Sequence, residues 1–167
     1  MANNELDNPT REDFVKLAKS YVGIKEGSAE HSALISDYNN SQKSYKVTNQ
    51  SKWCAIFVSL VNIKSGGNKV SSSFPNSINC ENMIDKLRTK KRYIKNDLSF
   101  IPQYGDLVFY DWDNDGKADH VGIITEVASG NNPNMHVVEG NYSNMVKVRT
   151  IKYNDSRILG YGLPRFR

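Results

Sequence analysis

The chain has 167 residues, of which 38% are hydrophobic and 24% charged, so it is long enough to form one domain with its own core. This composition excludes a disordered protein and a membrane protein. The longest apolar run, residues 55–61, is interrupted by Ser59 and is much shorter than the roughly 20 residues that a transmembrane helix needs, so we expect no transmembrane segment. The net charge of +4 comes without a nucleic-acid-binding motif, so nucleic acid is not an expected partner.

The amino terminus and the cysteines bear on where the protein works. Residues 1–9 have neither the basic start nor the apolar stretch of a secretory signal, and we expect a flexible segment ahead of a single domain over residues 10–167. A protein that acts outside the cell would then be released by lysis or carried within a larger exported protein. Cys54 and Cys80 could form at most one bridge, so we expect two free thiols in a monomer.

The first part of the chain has the periodicity of helices. Apolar residues recur at helical spacing in four segments, which begin near Thr10, Ser28, Trp53 and Cys80. The third segment ends at Ser65, which places Cys54 in the first turn of its helix. In the fourth segment Cys80 belongs to an apolar stripe, so its side chain is predicted to be part of the core.

After Pro102 the pattern changes to short β-rich segments separated by polar turns. They cover residues 107–110, 121–127, 135–138, 145–151 and 158–161. Helices followed by a meander of strands are typical of an α+β domain. We therefore expect amino-terminal helices packed against a carboxyl-terminal antiparallel sheet.

Cys54 and one of the three histidines form a candidate catalytic pair. A thiol in the first turn of a helix is favoured as thiolate, which is the nucleophilic form. A hairpin across residues 129–134 would place His120 beside Glu139 and Asn141, whereas His136 would leave the opposite face of the sheet from Glu139. His31, on the second helix, is interpreted as a surface or capping residue. His120 is therefore the expected base, and either Glu139 or Asn141 would orient its ring.

Several ordered blocks of the sequence resemble the CHAP family (cysteine, histidine-dependent amidohydrolases/peptidases). They are KWCAIFV at residues 52–58, YGDLV at 104–108, DHVGI at 119–123 and VEGN at 138–141. Residues 18–23 and 25–27 are similar to the opening of such domains, and residues 160–162 to their close. The resemblance covers nearly the whole chain and requires four spaced blocks to coincide.

This resemblance implies a papain-like α+β fold and cleavage of peptidoglycan, either at the amide between N-acetylmuramic acid and L-alanine or at a peptide bond. It implies Cys54 as nucleophile, His120 as general base and then acid, Glu139 as the residue that orients His120, and Asn141 as a further polar support. A backbone N–H at the Cys54 turn could stabilise the oxyanion. Trp53 and Gln50 are the expected substrate-binding residues.

An acidic segment just before His120 resembles the first half of a calcium loop. Its carboxylates alternate and are followed by a glycine, but the loop's last position is Gly122 and not the usual glutamate. Some members of the family bind calcium ahead of the nucleophile, where residues 45–49 have no carboxylate. The alternative is an acidic turn that joins two strands. No cofactor is expected to be required, and the candidate calcium ligands are Asp111, Asp113, Asp115 and Asp119.

The sequence is compatible with three functions. The leading hypothesis is a lytic enzyme of phage or bacterial origin that cleaves peptidoglycan through an acyl-enzyme. A second is a wall-binding module without chemistry, and a third is a thiol amidase or transacylase with another substrate. The second is motivated by a basic cluster that could equally be a solvated surface: Lys86, Arg88, Lys90, Lys91, Arg92 and Lys95.

Overall fold

The computed structural model describes residues 8–42, 46–66, 76–97 and 99–167. Helices come first and strands afterwards, so the α+β prediction is confirmed. The helices are α1 (Arg11–Ser20), α2 (Ala29–Ser41), α3 (Cys54–Ser65) and α4 (Cys80–Thr89). The strands are β1 (Tyr93–Lys95), β2 (Leu107–Tyr110), β3 (His120–Val127), β4 (Asn134–Tyr142), β5 (Met145–Lys152) and β6 (Ile158–Gly162).

The helices differ in how their amino termini are capped. The side chains of Thr10, Ser28 and Asn79 each accept a backbone N–H from the first turn of α1, α2 and α4. At α3 the capping position is Trp53, which makes no side-chain cap hydrogen bond. The first N–H groups of α3 are therefore left for other acceptors, at the point where Cys54 stands.

The strands form one antiparallel sheet in the order β1-β6-β2-β3-β4-β5. On β2, Leu107 and Phe109 pack into the main core with the helices, while Val108 and Tyr110 belong to a second apolar cluster on the other face. Residues 54–63 of α3 are all buried. A helix that is apolar all round lies inside a domain, and α3 accordingly packs between the other helices and the sheet.

The hairpin of β3 and β4 has the register that was expected. Ile123 pairs with Val138 and Ile124 with Val137, so the start of β3 lies beside the end of β4. A tight turn then leads into β5, since Ser143 and Asn144 both have positive φ, as in a two-residue hairpin loop. The hairpin therefore places His120, the first residue of β3, close to Glu139 near the end of β4.

Two features differ from the expectations. β1 was not predicted, because its three residues follow a run of basic residues, and it pairs with β6. Asn8 and Pro9 are buried, and the Pro9 carbonyl accepts the N–H of Arg167. The described part of the expected flexible segment is thus packed on the domain, and residues 1–7 lie outside the described residues. No helix in the described ranges has the length and apolar character needed to cross a membrane.

Candidate active site

A groove of about 500 Å³ opens where α3 and α4 begin. The two cysteines that line it are buried, and the other lining side chains are exposed or half-buried, most of them polar, together with Trp112, Ile78 and Ala118. Because these other lining side chains are exposed or half-buried, an extended polymer could enter the groove. The lining residues used below are Lys52, Cys54, Cys80, Glu81, Trp112 and Asp119.

Cys54 is the first residue of α3, and its side chain is prepared as a thiolate. A hydrogen bond from Cys80, with the two sulfurs 3.7 Å apart, is the main reason that the pKa of Cys54 falls to about 4. Burial opposes this change, while a hydrogen bond with His120, the charge of His120 and the N–H of Ala55 favour it. The predicted thiolate at a helix start thus has a structural basis, although the helix N–H contributes less than the neighbouring thiol.

Cys80 is the first residue of α4 and the donor in this sulfur pair. The hydrogen bond to Cys54 and burial both raise the pKa of Cys80, so its thiol stays protonated. Cys80 belongs to the main core, as its position in the apolar stripe predicted, and both cysteines are free thiols. The stripe gave no sign of the contact with Cys54, because that contact joins two helices far apart in the sequence.

His120 begins β3 and is held among aromatic side chains. Its ring stacks on Trp112 with centroids 4.9 Å apart and 23° between the planes, and Tyr142 lies edge-on to it at 6.1 Å. Tyr110, its register partner on β2, lies at 5.9 Å. The imidazole is only 3% exposed, so its orientation is fixed by packing before any substrate arrives.

One nitrogen of the His120 imidazole faces the Glu139 carboxylate. Nε2 lies 3.8 Å from Oε1 of Glu139, and within the described ranges it has no hydrogen-bond partner. Nε2 therefore faces the carboxylate, and His120 also lowers the pKa of Cys54. A Nε2 to Oε1 distance of 3.8 Å is too long for a hydrogen bond, and such contacts in catalytic sites often shorten when substrate binds.

Glu139 is fully buried and is paired with a residue that the sequence did not indicate. Its Oε2 accepts Nε of Arg149 at 2.5 Å and its Oε1 accepts Nη2 at 3.0 Å. The guanidinium lies over the ring of Tyr142, 4.0 Å from its centroid. Burial of Arg149 is outweighed by the hydrogen bonds and charge of Glu139, which raise the pKa of Arg149. Arg149 is therefore charged.

The contact between Arg149 and Glu139 follows from the register of the hairpin formed by β4 and β5. Arg149 pairs with Val137 on β4, which puts it diagonal to Glu139 on the same face of the sheet. The turn at Ser143 and Asn144 sets this register, so recognising a two-residue turn there would have predicted the contact. In the sequence alone, an arginine on an outer strand is typical of a solvent-exposed position.

The two expected substrate-binding residues lie away from the groove surface. Trp53 has no exposed area, donates Nε1–H to Glu26 at 2.9 Å and packs on the ring of His31. Its burial argues against contact with substrate, because a polymer cannot reach it. Gln50 is exposed, but among the described residues it is not part of the groove lining. The nearby groove residues Lys52 and Trp112 are better placed to contact substrate.

Asn141 and the other two histidines have distinct placements. Asn141 stands at an irregularity of β4 with φ of 58°, half-buried beyond Glu139, and no hydrogen bond joins it to His120 in the described part of the chain. His136 has a side chain 47% exposed and pairs with Glu126 at 3.2 Å. His31 is buried, not on the surface, and its Nδ1 accepts the N–H of Gly27.

The acidic loop before β3 is held largely by its own backbone. The carboxylate oxygens of Asp111, Asp113 and Asp115 can all lie within 4.8 Å of one another, whereas Asp119 is not part of this group. Asp111 accepts the N–H groups of Asp115 and Gly116, and Asp119 accepts that of Trp112. These hydrogen bonds are consistent with the alternative interpretation, an acidic turn that joins β2 to β3 and positions Trp112 and His120. Calcium binding stays a prediction. Of the earlier segment 45–49, Tyr45 lies outside the described residues.

Glycines of the sequence blocks permit the close packing around Glu139. A Cβ added to Gly122 would lie 2.5 Å from Cγ1 of Val137 and 2.7 Å from Cγ of Glu139. One added to Gly140 would lie 2.6 Å from Cβ of Phe57 on α3. The glycines of the HVGI and VEGN blocks therefore let β3, β4 and α3 approach closely, which sets the position of the buried carboxylate.

The chain was also compared with known proteins. The family model described as the CHAP domain matches residues 24–141, more than half of the chain. No curated protein and no solved structure matches it. CHAP domains are typically cysteine- and histidine-dependent amidohydrolases or peptidases that act on the bacterial cell wall, and this supports a peptidoglycan hydrolase type of function in general terms. The match includes Cys54, His120, Glu139 and Asn141, and the chain belongs to the CHAP family.

Proposed function

We propose that this protein hydrolyses peptidoglycan with Cys54 as nucleophile and His120 as general base and acid. The observation that carries the proposal is the placement of the Cys54 thiol at an open groove, with its pKa lowered by Cys80 and by the neighbouring His120, and with the Glu139 carboxylate 3.8 Å from Nε2 of the His120 imidazole. Nucleophile, base and orienting carboxylate thus stand in the order that acyl transfer requires. Membership of the CHAP family supports the cell wall as the substrate.

The chemistry follows from these positions. His120 takes the proton of Cys54, the resulting thiolate attacks the carbonyl carbon of an amide, and the oxyanion that develops is stabilised by the uncapped N–H groups at the start of α3. His120 then gives a proton to the leaving amine, and a thioester remains on Cys54. In the second half, His120 takes a proton from water, which attacks the thioester and releases the acid.

Glu139 orients His120 in this scheme and stabilises the imidazolium that forms. Because Arg149 donates to both carboxylate oxygens, the position of Glu139 does not depend on His120 as its partner. Asn141 remains a candidate polar support from the family pattern. Asn141 is half-buried and lies beyond Glu139 on β4, so it would contact His120 only if the end of β4 moves when substrate binds.

Digestion of purified cell walls tests the proposal. Wild-type protein should clear a wall suspension, and the Cys54→Ala and Cys54→Ser variants should lose nearly all of this activity while keeping the circular dichroism spectrum of the wild type. His136→Ala is the matched control, because His136 is exposed and is not among the residues that line the groove. Full activity in either Cys54 variant would overturn the proposal.

Mass spectrometry of the released fragments identifies the bond. A free L-alanine amino terminus on an intact stem peptide would show an amidase, and a cut within the stem or cross-bridge would show an endopeptidase. Wall binding without any released fragment would favour the alternative of a binding module that uses the basic residues of α4 and β1. A small-molecule amidase would release no fragments and bind walls weakly.

A further inference from the structure

Two helices of this protein begin at the same groove, and each begins with a cysteine. Cys54 opens α3 and Cys80 opens α4, and their sulfurs lie 3.7 Å apart. Both residues line the groove, although each is only 8% exposed. The second thiol is therefore in contact with the nucleophile and within reach of small molecules that enter the groove.

The two thiols have complementary protonation states. Cys54 is a thiolate because Cys80 and His120 lower its pKa, whereas the pKa of Cys80 is raised by its contact with Cys54 and by burial. Thiolates react with peroxides and thiols do not, so an oxidant would attack Cys54 first. A protonated thiol would then stand next to the oxidised sulfur.

We propose that Cys54 and Cys80 form a reversible oxidation site, in which a peroxide oxidises Cys54 to a sulfenic acid and Cys80 converts it to an intramolecular disulfide. This modification goes beyond wall hydrolysis and does not depend on the identity of the substrate. To form the bond, the sulfurs must approach from 3.7 Å to about 2.0 Å, a movement of less than 2 Å.

The oxidation takes place in two steps, formation of a sulfenic acid on Cys54 and then formation of the disulfide with Cys80. The Cys54 thiolate attacks one peroxide oxygen, the S–O bond forms as the O–O bond breaks, and hydroxide leaves and is neutralised by a buffer acid in the solvent. The Cys80 sulfur then attacks the Cys54 sulfur, and the S–S bond forms as the S–O bond breaks. The departing hydroxyl takes the Cys80 proton and leaves as water. Both sulfurs are oxidised and the peroxide is reduced.

Two consequences distinguish this site from a lone catalytic cysteine. The disulfide removes the nucleophile, so oxidation stops hydrolysis. It also consumes the sulfenic acid before a second peroxide can convert it to a sulfinic acid, which reductants do not reverse. Wild-type protein should therefore recover after reduction, and a variant without Cys80 should not.

The test uses the full chain treated with hydrogen peroxide, in wild type and in Cys80→Ser and Cys80→Ala variants. Intact mass should show wild type losing two hydrogens without gaining oxygen, and peptide mapping should find Cys54 linked to Cys80. Dithiothreitol should restore both free thiols and wall clearing. In the variants, Cys54 should gain oxygen and each variant should stay inactive relative to its own untreated sample. Two replacements are used so that a folding defect in one does not decide the result.

Accumulation of sulfinic acid on Cys54 of the wild type without the linked peptide would overturn the inference. Equal recovery of wild type and both variants after reduction would overturn it as well. Because mass and peptide mapping need no wall substrate, these outcomes are separate from failure of the proposed function. A protein that cleaves no peptidoglycan could still form the disulfide, and an active hydrolase could fail to form it.

Discussion

The candidate site has a thiol side, formed by Cys54 and Cys80, and a carboxylate side, formed by Glu139 and Arg149. The thiol side stands at two helix starts, where one uncapped helix terminus and one neighbouring thiol stabilise the nucleophile. The carboxylate side is a buried ion pair between two strands. His120 lies between them. The comparison shows that the nucleophile is stabilised where two helices begin side by side, while the imidazole is positioned by the packing of the sheet.

The largest expected effect is at His120, where the two sides meet. Replacing it with alanine removes the proton carrier and one of the groups that stabilise the thiolate. We expect kcat/KM for wall fragments to fall by about 100-fold to 10,000-fold, the usual range for a general acid or base. His136→Ala should leave kcat/KM unchanged. A loss of less than tenfold in His120→Ala would show that another group moves the proton.

Arg149→Met tests the carboxylate side. The change leaves the Glu139 carboxylate fully buried without its guanidinium partner, which costs about 3–5 kcal/mol in other buried pairs, so the free energy of unfolding should fall by that amount in urea titrations. The double variant Arg149→Met with Glu139→Gln removes the uncompensated charge and should recover much of this stability without recovering activity.

The matched control for Arg149 is Arg157→Met. Its pair with Asp155 is exposed on the arginine side, so we expect a change of about 0–1 kcal/mol. If Arg149→Met lowered the free energy of unfolding as little as this control does, the buried ion pair would not stabilise the carboxylate side of the site. If the double variant regained activity, Glu139 would have no orienting role.

The pH dependence of alkylation tests the thiol side. Because the pKa of Cys54 is lowered, the thiolate persists down to about pH 4 and protonates below it. Iodoacetamide should therefore label Cys54 at pH 6, where an ordinary cysteine is almost entirely protonated, and labelling should fall as the pH drops through about 4. Cys80, with its raised pKa, serves as an internal control and should stay unlabelled.

Two variants show how much Cys80 and His120 each contribute to the pH midpoint of Cys54 labelling. Alanine at Cys80 removes the main stabilising hydrogen bond and alanine at His120 removes a smaller contribution, so both should move the midpoint upward, the first by more. Peptide mapping after labelling at several pH values gives the midpoint for each variant. A midpoint near that of a free cysteine in the wild type would contradict the proposed thiolate, and a larger shift for His120→Ala would reverse the ranking.

The smallest effect is expected in the acidic loop. The Asp115 side chain is exposed and accepts the N–H of Lys117, and asparagine keeps that acceptor. In calcium-free buffer, Asp115→Asn should change the free energy of unfolding by less than about 0.5 kcal/mol. Thermal unfolding with and without calcium chloride then tests the predicted ion. A calcium site would raise the wild-type Tm more than that of the variant, and an acidic turn would give equal values.

The parts of the site that the sequence predicted are those set by local patterns. Apolar residues recur at helical spacing after Trp53 and the segment ends at Ser65, which predicted a helix with Cys54 in its first turn. The alternation of β3 and β4 was enough to bring His120 beside Glu139 and to separate His136 from it. In each case the periodicity of one element, or the pairing of two neighbours, determines the result.

The missed features depend on contacts between different elements. Arg149 meets Glu139 through a turn that was not assigned, and Cys80 meets Cys54 because α4 begins beside the start of α3. Trp53 was taken for a substrate contact because it precedes the nucleophile, but the helix start turns it into the core against Glu26. Sequence neighbours of a nucleophile are not necessarily its spatial neighbours.

Trapping the acyl-enzyme tests most directly whether the Cys54 thiolate attacks the substrate. Wild-type protein is mixed with a soluble peptidoglycan fragment, quenched in acid within the first turnover, and examined by intact mass and peptide mapping. The expected result is a thioester on the peptide that contains Cys54, carrying the acyl half of the fragment, and no adduct in Cys54→Ala. Released product together with the absence of any adduct on Cys54, or an adduct that persists in Cys54→Ala, would contradict this mechanism.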